Sequence, residues 1–353
     1  MASKPSYYDY ASTTPVDPRV LEAMLPFFTE DFGNPGSNHS YGKQAKRHVD
    51  SSRNEVAQII NAESKEIYFT SGATEAINLG IKGFLEANPD KGNHIVTVKT
   101  EHKAVLATCE YLESRGYHVT YLDVDENGLI SMNALKRAIN DRTCLIAIMY
   151  VNNETGVLQD IPAIGQIARE HSICFFCDAT QAIGKVSVDV VNDAIDMLCI
   201  SAHKMYGPKG IGALYVRKDL RVNSMIHGGG QEFNLRSGTL NVPGIVGMGV
   251  ACNLARIEFD ERLGKMQAER KRLTEYFEGE RIGKINFSSV KCAPHILSVT
   301  LNTDEDADEF LMLKSKDFVA STGSACNASI VEGSHVLKAI DSMPLKHVIR
   351  MSL

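Results

Sequence analysis

No apolar run in this 353-residue chain approaches the length of a bilayer-spanning helix, so no membrane span is expected. The opening residues, Met1–Tyr8, lack the apolar stretch of a secretory signal. No basic tract interrupts a net charge of −6, and direct nucleic-acid binding is not expected. Internal repeats and low-complexity segments are also missing, which argues against a solenoid. The eight cysteines, Cys109, Cys144, Cys174, Cys177, Cys199, Cys252, Cys292 and Cys326, form no disulfide framework, and a reducing cytoplasm is the expected setting. No set of metal ligands stands out. Cys174 and Cys177 make a C-x-x-C, but they lie in an apolar run that reads as a buried strand. Residues three apart on a strand point to opposite faces, so no shared metal or disulfide is expected there.

What remains is an ordinary globular composition, 44% hydrophobic and 23% charged, in a chain long enough for two domains. Strand-like runs at Ile67–Thr70, His94–Val98, Val119–Leu122, Cys144–Met149, Cys174–Cys177 and Met197–Ile200 alternate with helical patterns. The helical stretches are Glu75–Leu85, Lys103–Ser114, Met132–Ile139 and Ala163–His171. This alternation predicts an α/β fold with a mostly parallel sheet covered by helices on both faces. After Gly212–Val216 the pattern changes. A Gly-rich loop is followed by one long helical stretch from about Val246 to Gly279, and then by segments typical of an α+β domain. The expected boundary is near residue 258. Residues 15–258 would form a large cofactor-binding domain, and 1–14 with 259–353 a small one.

The chemistry concentrates where strands end. Ser201-Ala-His-Lys204 supplies a lysine suited to a Schiff base, and Asp178-Ala-Thr-Gln181 lies 26 residues before it. An ionised carboxylate at the end of a buried strand needs a cationic partner, and a protonated pyridine nitrogen is one. The alternative for Asp178 is a helix cap. Ser71-Gly-Ala-Thr-Glu75 follows a strand and opens a helix. Its Ala73 and Thr74 N–H groups suit an anion, or Ser71 is simply a cap in a capping box. His102 follows the strand His94–Val98 and is placed to stack on a flat ring, or to cap a helix. Asn153 also follows a strand end. Together these residues point to pyridoxal 5'-phosphate.

The ordered set Tyr8–Pro15, Asn34–Ser40, Ser71–Glu75, Thr100–His102, Val151–Gly156, Asp178–Gln181, Ser201–Lys204, Arg236–Thr239 and Ser324–Cys326 resembles the cysteine desulfurases of the NifS/IscS type. These belong to the class V aminotransferase-like fold of pyridoxal-phosphate enzymes, and the resemblance covers nearly the whole chain. It implies that Lys204 holds the cofactor covalently and His102 stacks on its ring. Asp178 would pair with the ring nitrogen and Gln181 with the phenolic oxygen. Ala73, Thr74, Ser201 and His203 would hold the phosphate. Thr239 would reach the phosphate of a second subunit, which implies a homodimer. Asn153 and Arg350 would bind the substrate carboxylate.

Cys326 distinguishes sibling activities. It lies in Ala320–Ser329, a run of small polar residues that reads as a surface loop (about 319–335), and Val331–His335 looks equally uncommitted. The resemblance makes Cys326 the nucleophile that takes sulfur from L-cysteine, leaving L-alanine and a persulfide. A sulfur-acceptor protein would then receive it, a scaffold or thiolation enzyme serving iron–sulfur assembly, tRNA thiolation or DNA phosphorothioation. A selenocysteine lyase or a class V aminotransferase would use the same cofactor cage. The family pattern continues past the segment that matches Ile349–Leu353, where this sequence ends.

Overall fold

The computed structural model describes residues 4–322, 333–340 and 343–353. A short strand, β1 (Ser6–Tyr7), precedes the main sheet. That sheet contains β2 (Ile67–Thr70), β3 (His94–Val98), β4 (His118–Leu122), β5 (Thr143–Ala147), β6 (Cys174–Asp178), β7 (Met197–Ser201) and β8 (Gly212–Val216). Its seven strands run in the order β2-β8-β7-β6-β5-β3-β4. Strands β7, β6, β5, β3 and β4 are mutually parallel, and β8 alone runs against its neighbours β2 and β7. This is the α/β architecture that the alternating pattern predicts.

The sheet is buried on both faces because successive side chains alternate. From β6, Phe175 and Cys177 enter one apolar cluster, while Cys174 and Phe176 enter the other. From β7, Leu198 and Ile200 join the first, and Met197 and Cys199 the second. Both phenylalanines are fully buried, each contributing about 1.5–3 kcal/mol by leaving water. Cys174 and Cys177 are thus separated by the sheet itself. Burial pushes both thiols well above the ordinary range, so they are inert packing groups.

The covering helices follow the expected stretches. The helix Lys103–Glu113 buries Val105, Thr108, Cys109 and Leu112, a stripe at helical spacing. The helix Ala73–Ala87 packs Gly80 where a Cβ would come within 2.8 Å of the Phe176 ring. It ends before Pro89, which cannot continue it.

The long helix expected from Val246 to Gly279 is instead two helices, Val242–Ile257 and Phe259–Thr274, bent by 74° and followed by a π turn at Glu275–Gly279. The composition explains the break. The first helix is apolar, and most of it is buried, against Ser40–Gln58 among others. The second is charged and largely exposed. Glu258 stands at the junction with φ −100° and ψ 13°, and its carboxylate meets Arg19 and Arg262.

Beyond that bend lie β9 (Gly283–Ile285), β10 (Ile296–Leu301), β11 (Phe318–Val319) and β12 (Val348–Ser352). Strands β12-β10-β9 form an antiparallel sheet, and β1 pairs in parallel with β11. Tyr8, Leu273, Phe277, Leu297, Val299, Phe310 and Ile349 build a separate apolar cluster around them. No single helix among the described residues is long and apolar enough to cross a membrane.

Candidate active site

In an open α/β sheet the carboxyl ends of parallel strands leave a crevice where loops and helix N-termini converge. Here that crevice is a cleft of about 650 Å³. Ala73, Thr74, His102, Asn153, Asp178, Gln181, Ser201, His203, Lys204 and Arg350 all line it. Thr239 does not; it is exposed, in the loop before the helix Val242–Ile257. Cys326 lies outside the described residues.

Strand β7 delivers Ser201, and a single 3₁₀ turn, Ala202–Lys204, follows. Lys204 Nζ donates to the carbonyls of Ala11, at 2.7 Å, and Ser12, at 2.6 Å. An amine held by neutral carbonyls is oriented without an ion pair at those two bonds. Just behind it, Lys185 is 6% exposed and donates to the Lys204 carbonyl at 2.6 Å. Burial, with Lys204 and Arg262 nearby, pulls the Lys185 ammonium down to about 7. His203 is pulled down to about 4 by burial and by Lys204, Lys209 and Lys185, so it is neutral at pH 7. Its Nδ1 lies 3.2 Å from Thr13 Oγ1.

Strand β6 ends in Asp178, which is 6% exposed. Its Oδ1 accepts the Thr180 N–H at 2.9 Å and the Cys199 thiol at 3.2 Å. Among the described residues it makes no salt bridge. A buried carboxylate of this kind, opening on a cleft, suits a cationic ring nitrogen. Gln181 follows one turn later, donating from Nε2 to the Ala11 carbonyl at 2.9 Å.

The helix Ala73–Ala87 begins at Gly72, with φ 154° and ψ −179°, a conformation closed to residues with a Cβ. Ser71 is therefore not the cap, contrary to the capping-box alternative. Instead its N–H donates to the Glu75 carboxylate at 2.8 Å, and Glu75 also binds Arg236. The Gly72 cap makes no side-chain hydrogen bond to the helix, so the first N–H groups, at Ala73 and Thr74, face the cleft at the positive end of the helix dipole. Gly212 makes room for this turn: a Cβ there would lie 2.7 Å from the Gly72 Cα.

His102 caps the helix Lys103–Glu113, its Nδ1 accepting the Ala104 N–H at 3.1 Å, and still lines the cleft. The capping and site readings of this residue are compatible. Arg350, on β12, donates to Asp9 Oδ1 at 2.7 Å, Ser12 Oγ at 2.9 Å and the Asn153 carbonyl at 2.9 Å. The lone-pair acceptors around Lys204 and Arg350, Ala11 and Ser12, sit in the Tyr8–Pro15 segment. That segment carries no charge beyond Asp9, so nothing in its residue types points to carbonyl acceptors.

Val331 lies outside the described residues, but Ser334 and His335 are less free than the local composition suggests. Ser334 is buried, caps the helix His335–Ala339 and donates to the Glu154 carboxylate in the cleft wall. His335 Nε2 lies 2.9 Å from the Glu101 carbonyl. Both partners are distant in sequence, and so Ser334 and His335 look uncommitted when read locally.

The aminotransferase class-V family model matches residues 6–353. The chain belongs to the class V aminotransferase family. Cysteine desulfurase IscS of Neisseria meningitidis serogroup C is 51% identical over 339 residues, covering 95% of this chain and 83% of that protein. The IscS protein of Methylococcus capsulatus is 49% identical, with 95% and 84% covered. Among solved structures, a NifS-like protein superposes with TM-score 0.92 at 35% identity, covering 99% of this chain and 93% of that one. DndA from Streptomyces lividans gives 0.82 at 35%, with 98% and 99% covered. The chain is of the cysteine desulfurase type, with pyridoxal phosphate as its cofactor.

Proposed function

We propose that the cleft performs the desulfurase reaction on L-cysteine with the residues that line it in the roles expected above. The observation that carries this reading is Asp178, buried, without a salt bridge among the described residues, and sharing one cleft with Lys204 and His102. The cofactor, when bound, supplies an electron sink conjugated to the substrate's amino group. The Ala73 and Thr74 N–H groups, Ser201 and His203 hold its phosphate, and neutral His203 serves as a donor there. His102 covers the ring, Asp178 keeps the ring nitrogen protonated, and Gln181 meets the phenolic oxygen. Lys204 is the covalent anchor.

Arg350 and Asn153 bind the substrate carboxylate. Asp9 and Ser12 orient the guanidinium for that task, and its planar fork matches a carboxylate. The Lys204 amine, once free, removes the α-proton, and His102 serves as a second acid/base. The Cys326 thiolate attacks the substrate sulfur: an S–S bond forms and the Cβ–S bond breaks. The electron pair goes to the carbon framework, which takes up one proton at Cβ, regains at Cα the proton held by Lys204, and leaves as L-alanine. An acceptor protein then receives the persulfide sulfur.

We assign residues 15–258 to a cofactor-binding domain, and 1–14 with 259–353 to a smaller one. The bend at Glu258 and the separate apolar cluster beyond it support this division. A homodimer is the proposed working form. Thr239, exposed and away from its own cleft, would serve the cleft of a second copy. Leu25, Phe28, Phe32 and Tyr41 are exposed, and the Phe32 and Tyr41 rings lie 5.7 Å apart, which favours a covered face. The seven described cysteines are free thiols, consistent with a reducing cytoplasm.

The test is alanine and persulfide formation from L-cysteine, run against amino transfer to an oxo acid. Cys326→Ser should keep the cofactor's visible band and lose both products. Full alanine turnover in that variant, or efficient amino transfer by the unmodified enzyme, would overturn the assignment.

A further inference from the structure

His295 sits immediately before β10, fully buried, 114 residues from Gln181 in sequence. Its Nε2 is 3.2 Å from Gln181 Oε1, while its Nδ1 is buried with no hydrogen-bond partner. An orphaned ring nitrogen in the interior is costly, and an apolar side chain of similar size would avoid it. The placement therefore calls for a return elsewhere.

The hydrogen-bond logic supplies one. The Ala11 carbonyl can only accept, so the Gln181 atom facing it at 2.9 Å must be the NH₂ group. That leaves Oε1 turned toward His295, whose Nε2 must then carry the ring proton. The same Ala11 carbonyl accepts from Lys204 Nζ at 2.7 Å. One of the two Gln181 amide hydrogens is used by Ala11. The other has no acceptor among the described residues, and Gln181 lines the cleft.

We propose that His295 is a positioning residue: it pins the amide of Gln181 so that its second N–H is presented to the phenolic oxygen of the cofactor. This rests on the reading of Gln181 as a cofactor contact. Lys185, Arg270 and Arg350 face His295, and burial together with these cations holds its pKa well below the usual histidine range. The ring is therefore a neutral donor at working pH. In its absence the Gln181 amide keeps only the Ala11 bond among the described residues, and its second N–H is no longer held toward the phenolic oxygen, which withdraws a donor that favours the anionic form.

The experiment is a pH titration of the visible band of the holoenzyme in the unmodified protein, Gln181→Leu, His295→Leu, His295→Asn and the Gln181→Leu/His295→Leu pair. The charged and titratable groups around that band are Lys204, Asp178, His102, His203 and Arg350, unchanged throughout. Gln181→Leu should raise the midpoint by about one pH unit. His295→Leu should reproduce most of that shift, His295→Asn, which keeps an amide donor, should restore it, and the double variant should equal Gln181→Leu alone. An unmoved midpoint in His295→Leu beside a shifted Gln181→Leu would reduce His295 to packing and overturn the proposal, with the Gln181 reading intact. An unmoved midpoint in Gln181→Leu would instead sink the Gln181 reading, and the proposal with it. If His295→Leu does not fold, nitrogen NMR of histidine-labelled holoenzyme decides. The Nε2–H tautomer supports the proposal and the Nδ1–H tautomer overturns it.

Discussion

Two buried carboxylates in this molecule are treated in opposite ways. Glu232 forms a bidentate pair with Arg53, both contacts at 2.7 Å, and also accepts the Phe69 N–H at 2.7 Å. The Arg53 guanidinium lies over the Phe69 ring at 4.7 Å, and the Arg53 and Glu232 side chains are 7% and 0% exposed. Asp178, equally withdrawn from water, has one backbone N–H, one thiol and no cation among the described residues. The first carboxylate is internally complete and ties the Gly-rich loop to β2. The second is left incomplete toward a cleft. A buried charge satisfied by protein groups is structural, whereas one left open marks a place for a ligand.

The comparison breaks first at Arg53. Arg53→Met strands the Glu232 carboxylate, and a loss of about 3–5 kcal/mol is expected in urea unfolding. A smaller loss than about 1 kcal/mol would show that the pair is replaceable. Lys185 is the cationic counterpart of Asp178, buried and, among the described residues, with the Lys204 carbonyl as its acceptor. Its folded value, about 7, lies below the ordinary lysine value of 10.5, so the unfolded chain binds more protons between them. Stability should therefore rise with pH across that window, by roughly 2–4 kcal/mol, and be lost again as pH falls through 7. Lys185→Met should flatten the slope in unfolding measured from pH 7 to 10; an unchanged slope would show that Lys185 does not cause it.

Asp178→Asn sharpens the contrast from the other side. Losing a charge-assisted contact of about 1.5–3 kcal/mol should lower kcat/KM for L-cysteine by roughly 10- to 100-fold. The cofactor-free protein should be as stable as before, since no ion pair is broken. A fall in stability like that of Arg53→Met would make Asp178 structural. The smallest effect is expected at the exposed Glu261–Lys265 pair, one turn apart on a helix with side chains 65% and 74% exposed. Lys265→Ala should change stability by no more than about 0.5 kcal/mol, and salt should erase even that.

Much of the site was legible because it is local. Asp178, Lys204, His102 and Ala73 each follow a strand by a few residues, and strand ends are readable from apolar runs. Residue types mislead where a contact is long-range or steric. Ser71 has the chemistry of a cap, but the backbone at Gly72 takes a conformation that only glycine allows, so the helix starts one residue later. The charged stretch after Glu258 continues a helical period, yet the buried helix before it packs in a different direction. Ser334 and His335 look idle until Glu154 and the Glu101 carbonyl arrive from the sheet. The Arg53–Glu232 pair, 179 residues apart, carries no local signature at all.

The residue order alone determined the α/β class, the cofactor and the chemical cast, because hydrophobic period and strand-end residue types are local properties. Only the tertiary structure decided which polar atoms are satisfied. It brought the Ala11 carbonyl between Lys204 and Gln181, put His295 behind that amide, and left Asp178 open where Glu232 is closed. Hydrogen-bond saturation is a property of three-dimensional neighbours, and burial makes it matter energetically.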